Sequence, residues 1–193
     1  MQMSQDRRQF YRIDHKVALE YRVVPESDVM TSARPYHFDV SPHFLLLGEL
    51  QALDSETSHL LRKIGESQPD IAGYLKLINT KIDMIANSLV SQELTDTSGL
   101  RLKSINLSEG GLSFDSNQAL RQGDYLALKL VFPESHLGML LYARVQRCAP
   151  IQDGFHIAIE FFKLTESCRT LIARYILEAQ ARERQRQLGR HDR

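Results

Sequence analysis

The chain has 193 residues, 42% hydrophobic and 25% charged, a length for one domain or one domain with a substantial insertion and a composition ordinary for a soluble globular protein. Lys+Arg and Asp+Glu both number 24, so no global field draws in nucleic acid or anionic lipid. Apolar runs are only a few residues long, and the segment from Met1 to Arg12 lacks an apolar stretch, which argues against a membrane span and a secretory signal.

Residues 1–14 read as a flexible arginine segment, with Arg7, Arg8 and Arg12 in Arg7-Arg8-Gln9-Phe10-Tyr11-Arg12. From 15 to 24, Val17, Leu19, Tyr21 and Val23 alternate with Ala18, Glu20 and Arg22, the period of a half-buried strand, and Pro25 ends it. An irregular stretch through Pro35 and Asp39 shows no period. Ser41-Pro42 then predicts a helix start, with Ser41 as cap, Pro42 in the first turn, and Val40 and Leu45 as a hydrophobic staple. Leu46, Leu50, Leu53, Thr57, Leu60 and Ile64 step alternately by four and three; residues 65–70 break the pattern. Ile71, Leu75, Ile78, Ile82, Ile85 and Leu89 repeat it.

Two matching heptad tracts predict an inserted helical hairpin over 41–94 that forms a coiled coil or bundle. Leu45, Leu47 and Leu61 widen the first apolar face beyond one seam, so copies of the hairpin are expected to pack together. The alternative is that each stripe packs on its own domain. After Gly99 the period returns to two, giving strands at 100–105, 112–114, 126–132, 139–145 and 155–161, with Asp153-Gly154 as a hairpin turn. These strands predict a closed antiparallel barrel from residues 15–40 and 95–180. Thr165 caps a last helix whose apolar face is Leu171, Ile172, Tyr175, Ile176 and Ala179. Residues 181–193 form a charged tail with Arg182, Arg184, Arg186, Arg190 and Arg193; lacking an apolar face, it is expected to fray.

Two places carry recognisable chemistry. Arg8 and Arg12 lie four apart, and a guanidinium is planar, always charged and able to clamp a phosphate or stack on a purine. Alone, the pair is equally a solvated basic tail. In Asn106-Leu107-Ser108-Glu109-Gly110-Gly111, the amide and hydroxyl can meet a base edge, and the glycines permit positive φ and close backbone approach. Alone, this is equally a β-turn between strands. Ser108 lacks a G-x-S-x-G setting, and no catalytic constellation is recognisable, so an enzyme is not expected. Cys148, Cys168 and the seven scattered histidines show no metal-ligand spacing, so no metal or cofactor is expected and a reduced cytoplasmic setting fits.

R-x-x-x-R before a first strand, followed by N-x-S-x-x-G leading into a "GGLSF" strand, resembles a PilZ domain. The later "LRQGDYLALKLVF" and "GFHIAIEFFKLTE" resemble that family's central and closing strands. The likeness covers 7–24 and about 98–178. It implies a six-stranded PilZ-type barrel with a C-terminal helix that binds cyclic di-GMP. By this resemblance Arg8 and Arg12 hold phosphates and stack on guanine, Asn106, Ser108 and Gly111 contact the nucleotide, and Arg7 stacks on a second one. The inserted hairpin resembles a subgroup known from xanthomonads in which paired heptad helices drive tetramerisation. The resemblance therefore implies an oligomeric receptor, dimer or tetramer, that relays the messenger to a protein partner. A scaffold that binds no nucleotide is the alternative.

Overall fold

A computed structural model describes residues 11–40, 44–96, 102–133, 135 and 137–191. Six antiparallel strands, β1 (Ile13–Val24), β2 (Leu102–Ser108), β3 (Gly111–Ser116), β4 (Tyr125–Phe132), β5 (Leu137–Ile151) and β6 (Gly154–Phe162), close into one barrel in the order β1-β2-β3-β6-β5-β4. β1 serves two neighbours: Ile13–Ala18 pairs with β2, and Ala18–Val24 pairs with β4. That shared strand closes the sheet and leaves no free edge. The period-two pattern places Val17, Leu19, Leu107, Phe114, Leu128 and Ile157 in the interior. The expected turn at Asp153-Gly154 joins β5 to β6, with Gly154 at φ +135. β1 begins at Ile13 rather than residue 15, because Ile13 is itself buried and opposes Leu107.

The stretch after Pro25 is not irregular throughout. It contains a short helix, α1 (Glu26–Thr31), whose one buried residue is Val29. Val29, Phe38 and Phe44 form a second core on the outer face of the barrel with Ala18, Ala127, Val131, Leu140 and Tyr142. β4 is therefore covered on both sides, which explains its nearly continuous apolar sequence. Phe44 lies so close to Gly138 that a Cβ there would sit 2.6 Å from the Phe44 carbonyl oxygen.

The inserted hairpin comprises α2 (Leu46–Ser67) and α3 (Pro69–Asp96). The break is narrower than 65–70: Gly65 stays helical, Gln68 alone turns the chain, and Pro69 opens α3 where no N–H is needed. The proposed cap at Ser41 and Pro42 lies outside the described residues. Leu45 occupies the N-cap of α2 without a side-chain hydrogen bond, and both Val40 and Leu45 pack on the second core. Between the helices, Asn79 Nδ2 donates to Asp54 Oδ1 at 3.1 Å, and Leu46 and Leu50 pack on buried Ala86. The heptad residues Leu53, Leu60, Ile71, Ile82, Ile85 and Leu89 remain exposed in the single chain, as do Tyr74, Leu77 and Met84.

The last helix, α4 (Glu166–His191), inserts Leu171, Ile172, Tyr175 and Ile176 into the barrel core. It does not fray after Gln180. Arg, Glu and Gln have high helix propensity, and the run begins on a secured turn: Arg174 pairs with Glu178 at 3.6 Å, and Arg182 Nε donates to the Glu178 carbonyl at 3.3 Å. No helix among the described residues is long and apolar enough to cross a membrane.

Candidate functional site

The register of β1 against β2 sets Asp14 opposite Asn106 and Ile13 opposite Leu107. This pairing brings the end of the arginine segment to the N-x-S-x-x-G turn although the hairpin separates them in sequence. Loop-closure entropy grows only slowly with length, so the insertion is compatible with the pairing. Asn106 uses both ends of its amide. Its Oδ1 accepts from Arg12 Nη1 at 3.0 Å, and its Nδ2 donates to Asp14 Oδ1 at 2.8 Å. The Arg12–Asn106–Asp14 chain is solvent-exposed and presents a guanidinium, an amide and a carboxylate together.

Ser108 is placed differently. It is only 3% exposed, and its Oγ donates to the Gly111 carbonyl at 3.0 Å, closing the β2–β3 turn. Gly111 faces β6: a Cβ there would overlap the Ile159 carbonyl oxygen and lie 3.0 Å from Glu160 Cα. The Phe161 N–H donates to the Gly110 carbonyl at 2.9 Å, so β6 also grips the turn. The described positive-φ glycines are Gly123 and Gly154, so of the two things Gly110-Gly111 permits, positive φ is not used and close backbone approach is, toward β6. Close backbone approach, not turn handedness, is what requires glycine at 111. Arg7 and Arg8 lie outside the described residues.

Beside Arg12 runs a polar groove of about 410 Å³. Tyr11, Arg12, Asp14 and His15 form one wall; Ala179, Arg182 and Glu183 of α4 form the other. The His15 ring meets Tyr175 edge-on at 5.3 Å, fixing the helix against the strand one turn before the groove. The sequence reading did not place Arg182 and Glu183 at a site; the arginine-rich run was the available signal. A more apolar cavity of about 370 Å³ lies between α2, β5 and α4, lined among others by Gly48, Leu53, Met139 and Leu171. None of the motif residues lines it.

Among the described residues no cluster of His, Cys, Asp or Glu is arranged to hold a metal ion. Two His–Asp pairs occur among the described residues: His156 Nδ1 and Asp115 Oδ1 are 2.7 Å apart on neighbouring strands, and His37 Nε2 and Asp28 Oδ2 are 2.9 Å apart, with His37 stacked on Tyr36 at 4.3 Å. The hydrogen bond from His37 holds the Asp28 carboxyl below its ordinary range. The His37–Asp28 pair sits in the segment covering the outer barrel face, beside Tyr142, and Asp28 Oδ1 also accepts from the Ser27 hydroxyl at 3.2 Å.

Residues 86–178 match the family model of the PilZ domain. The chain carries a PilZ domain. The matched segment begins within α3 and leaves out β1, which the hairpin separates from the other strands. Among solved structures, the PilZ chain is similar to a tetrameric PilZ-domain protein from Xanthomonas campestris, self-assembled via a helical bundle. The TM-score is 0.55 at 17% identity, covering 91% of this chain and 90% of that one. At that identity the likeness establishes the fold alone. MotI/DgrA, an inhibitor of motility from Bacillus subtilis, matches with TM-score 0.36 and 18% identity over 42% of this chain and 43% of that chain. YcgR from Escherichia coli, in complex with c-di-GMP, matches with TM-score 0.38 and 16% identity over 45% of this chain and 39% of that chain. The chain thus spans less than half of either of these two proteins. No curated protein matches it.

Proposed function

We propose that this PilZ chain is a cytoplasmic receptor for cyclic di-GMP, without catalytic activity, that assembles through its helical hairpin and passes occupancy to a protein partner. The observation that carries the reading is the hydrogen bond from Arg12 to Asn106, which joins the R-x-x-x-R segment to the N-x-S-x-x-G turn. A ligand phosphate can bind Arg12 in place of, or beside, that amide through a charge-assisted hydrogen bond of roughly twice the strength of a neutral one. Arg8 would reach the same nucleotide from the segment before Tyr11, and Arg7 would stack on a second one. Asn106 would contact it directly. The buried Ser108 and the close-packed Gly111 would act by holding the turn that presents Asn106.

The test is calorimetric titration of the full chain with cyclic di-GMP. Wild type is expected to bind, and Arg8→Ala and Arg12→Ala are each expected to lose most of the affinity. Unchanged affinity in both variants would overturn the site. A scaffold that binds no nucleotide is the second reading, favoured by the apolar side chains exposed along α2 and α3. It predicts intact assembly with no heat of binding in wild type, so the same titration separates the two.

A further inference from the structure

We propose that α4 is the second wall of the nucleotide site, with Arg182 as an additional phosphate-binding cation and Glu183 as the carboxylate that reads guanine. The inference rests on cyclic di-GMP being the ligand. The groove between β1 and α4 falls within the ordinary range of small-molecule sites at about 410 Å³. It places Arg12, the motif residue bonded to Asn106, on one side and Arg182 on the other. A charged helix face that merely dissolved in water would not need to close a concave surface over a motif arginine.

Arg182 is held where the groove needs it. Its Nε donates to the Glu178 carbonyl at 3.3 Å, and its guanidinium carbon lies 6.0 Å from the centre of the Tyr175 ring. Tyr175 is in turn buried against Phe132 at 4.3 Å and meets His15 edge-on. The barrel core thereby fixes the helix, and the helix carries Arg182 and Glu183 over β1. Preorganisation of this kind limits the ordering cost of binding.

The mixture of charges points to guanine rather than to a phosphate alone. A groove selecting only anions would be lined by cations, whereas this one pairs two arginines with Asp14 and Glu183. Guanine offers N1–H and N2–H donors on its Watson–Crick edge, and a carboxylate accepts from both; adenine presents an acceptor at N1 and is repelled. Asp14 already accepts from Asn106 at 2.8 Å. Glu183 is the carboxylate on the facing wall.

Calorimetry with the full chain, cyclic di-GMP and cyclic di-AMP tests the proposal. Arg182→Gln is expected to weaken cyclic di-GMP binding about 10- to 100-fold, the range for losing a charged hydrogen bond, with Arg182→Lys intermediate. Glu183→Gln is expected to narrow the preference for cyclic di-GMP over cyclic di-AMP, a readout that a purely structural role would leave unmoved. Arg169→Gln, on the same helix but away from the groove, is expected to bind as wild type does. Thermal melts establish that each variant is folded, and Ala179→Glu gives an independent block of the same groove. A wild type that binds while the Arg182, Glu183 and Ala179 variants keep its affinity and selectivity overturns the inference alone. A wild type that binds neither dinucleotide overturns the receptor reading and the inference with it.

Discussion

Gly111→Ala separates the two reasons a glycine can end the N-x-S-x-x-G turn. A methyl group there overlaps the Ile159 carbonyl oxygen and comes within 3.0 Å of Glu160 Cα, so β3 and β6 must move apart locally. Overpacking of this kind costs about 1–3 kcal/mol. The same displacement strains the Phe161 N–H to Gly110 bond at 2.9 Å and the Ser108 hydroxyl to Gly111 bond at 3.0 Å, each worth about 0.5–1.5 kcal/mol. The sum is about 2–6 kcal/mol against a typical total of about 5–15 kcal/mol. For a domain of this size each kcal/mol moves the midpoint by about 2–4 °C, so the melting temperature should fall by about 4 °C at the least and by more than 10 °C at the upper end. Circular dichroism melts without nucleotide are the assay. A melting temperature within 1 °C or so of wild type, with nucleotide binding lost, would refute the packing argument and assign Gly111 to ligand contact instead.

Asp28→Asn should flatten the acid limb of the stability curve. Because the bond from His37 lowers the Asp28 pKa on folding, its stabilisation is present above the ordinary carboxylate range and is lost as pH falls through the lowered value. The difference between wild type and variant should therefore shrink below about pH 4; an equal difference at pH 7 and pH 2.5 would refute this. Asp83 has the opposite sign. Burial, then the neighbouring charge of Asp54, raise its pKa against the opposing pull of Arg174. Its ionisation is thus disfavoured by folding, and stability is lost as pH rises through the raised value. Asp83→Asn should raise the melting temperature at pH 7 and leave it unchanged near pH 3. Light scattering checks the exposed stripe of α3: wild type should be oligomeric, and Leu77→Glu with Ile85→Glu should shift it toward monomer. A monomeric wild type would refute assembly.

The barrel was legible because its strands read as short alternating or continuous apolar runs between turn residues, and because Asp153-Gly154 marks a turn that few residue pairs can make. Both helices of the hairpin were legible from their repeated spacing. What escaped the sequence shares one cause, tertiary packing without a local period. Glu26–Thr31 has a single buried residue, too few to show a helical stripe, yet Val29 seals the outer face of β1, β4 and β5. At the site, the spacing of Arg12 and Asn106 could not reveal that Asn106 would bridge Arg12 to Asp14, since that follows from the β1–β2 register. The glycine at 111 was read as permitting positive φ and close backbone approach to a ligand, whereas the close approach is to β6, about fifty residues onward. Arg182 and Glu183 were visible as charges but had no address until α4 was seen to extend past Gln180.

The groove beside Arg12 has one wall from residues 11–15 and the other from residues 179–183. As the chain leaves the ribosome, N-terminal end first, the first wall emerges before β2 to β6 and the second only after every strand has been made. A chain halted after β6 would hold both sequence motifs and a complete set of barrel strands, yet have no groove. On the proposed reading, a two-walled nucleotide site exists only once residues 179–183 have followed the last barrel strand, so a chain halted between them would lack the second wall.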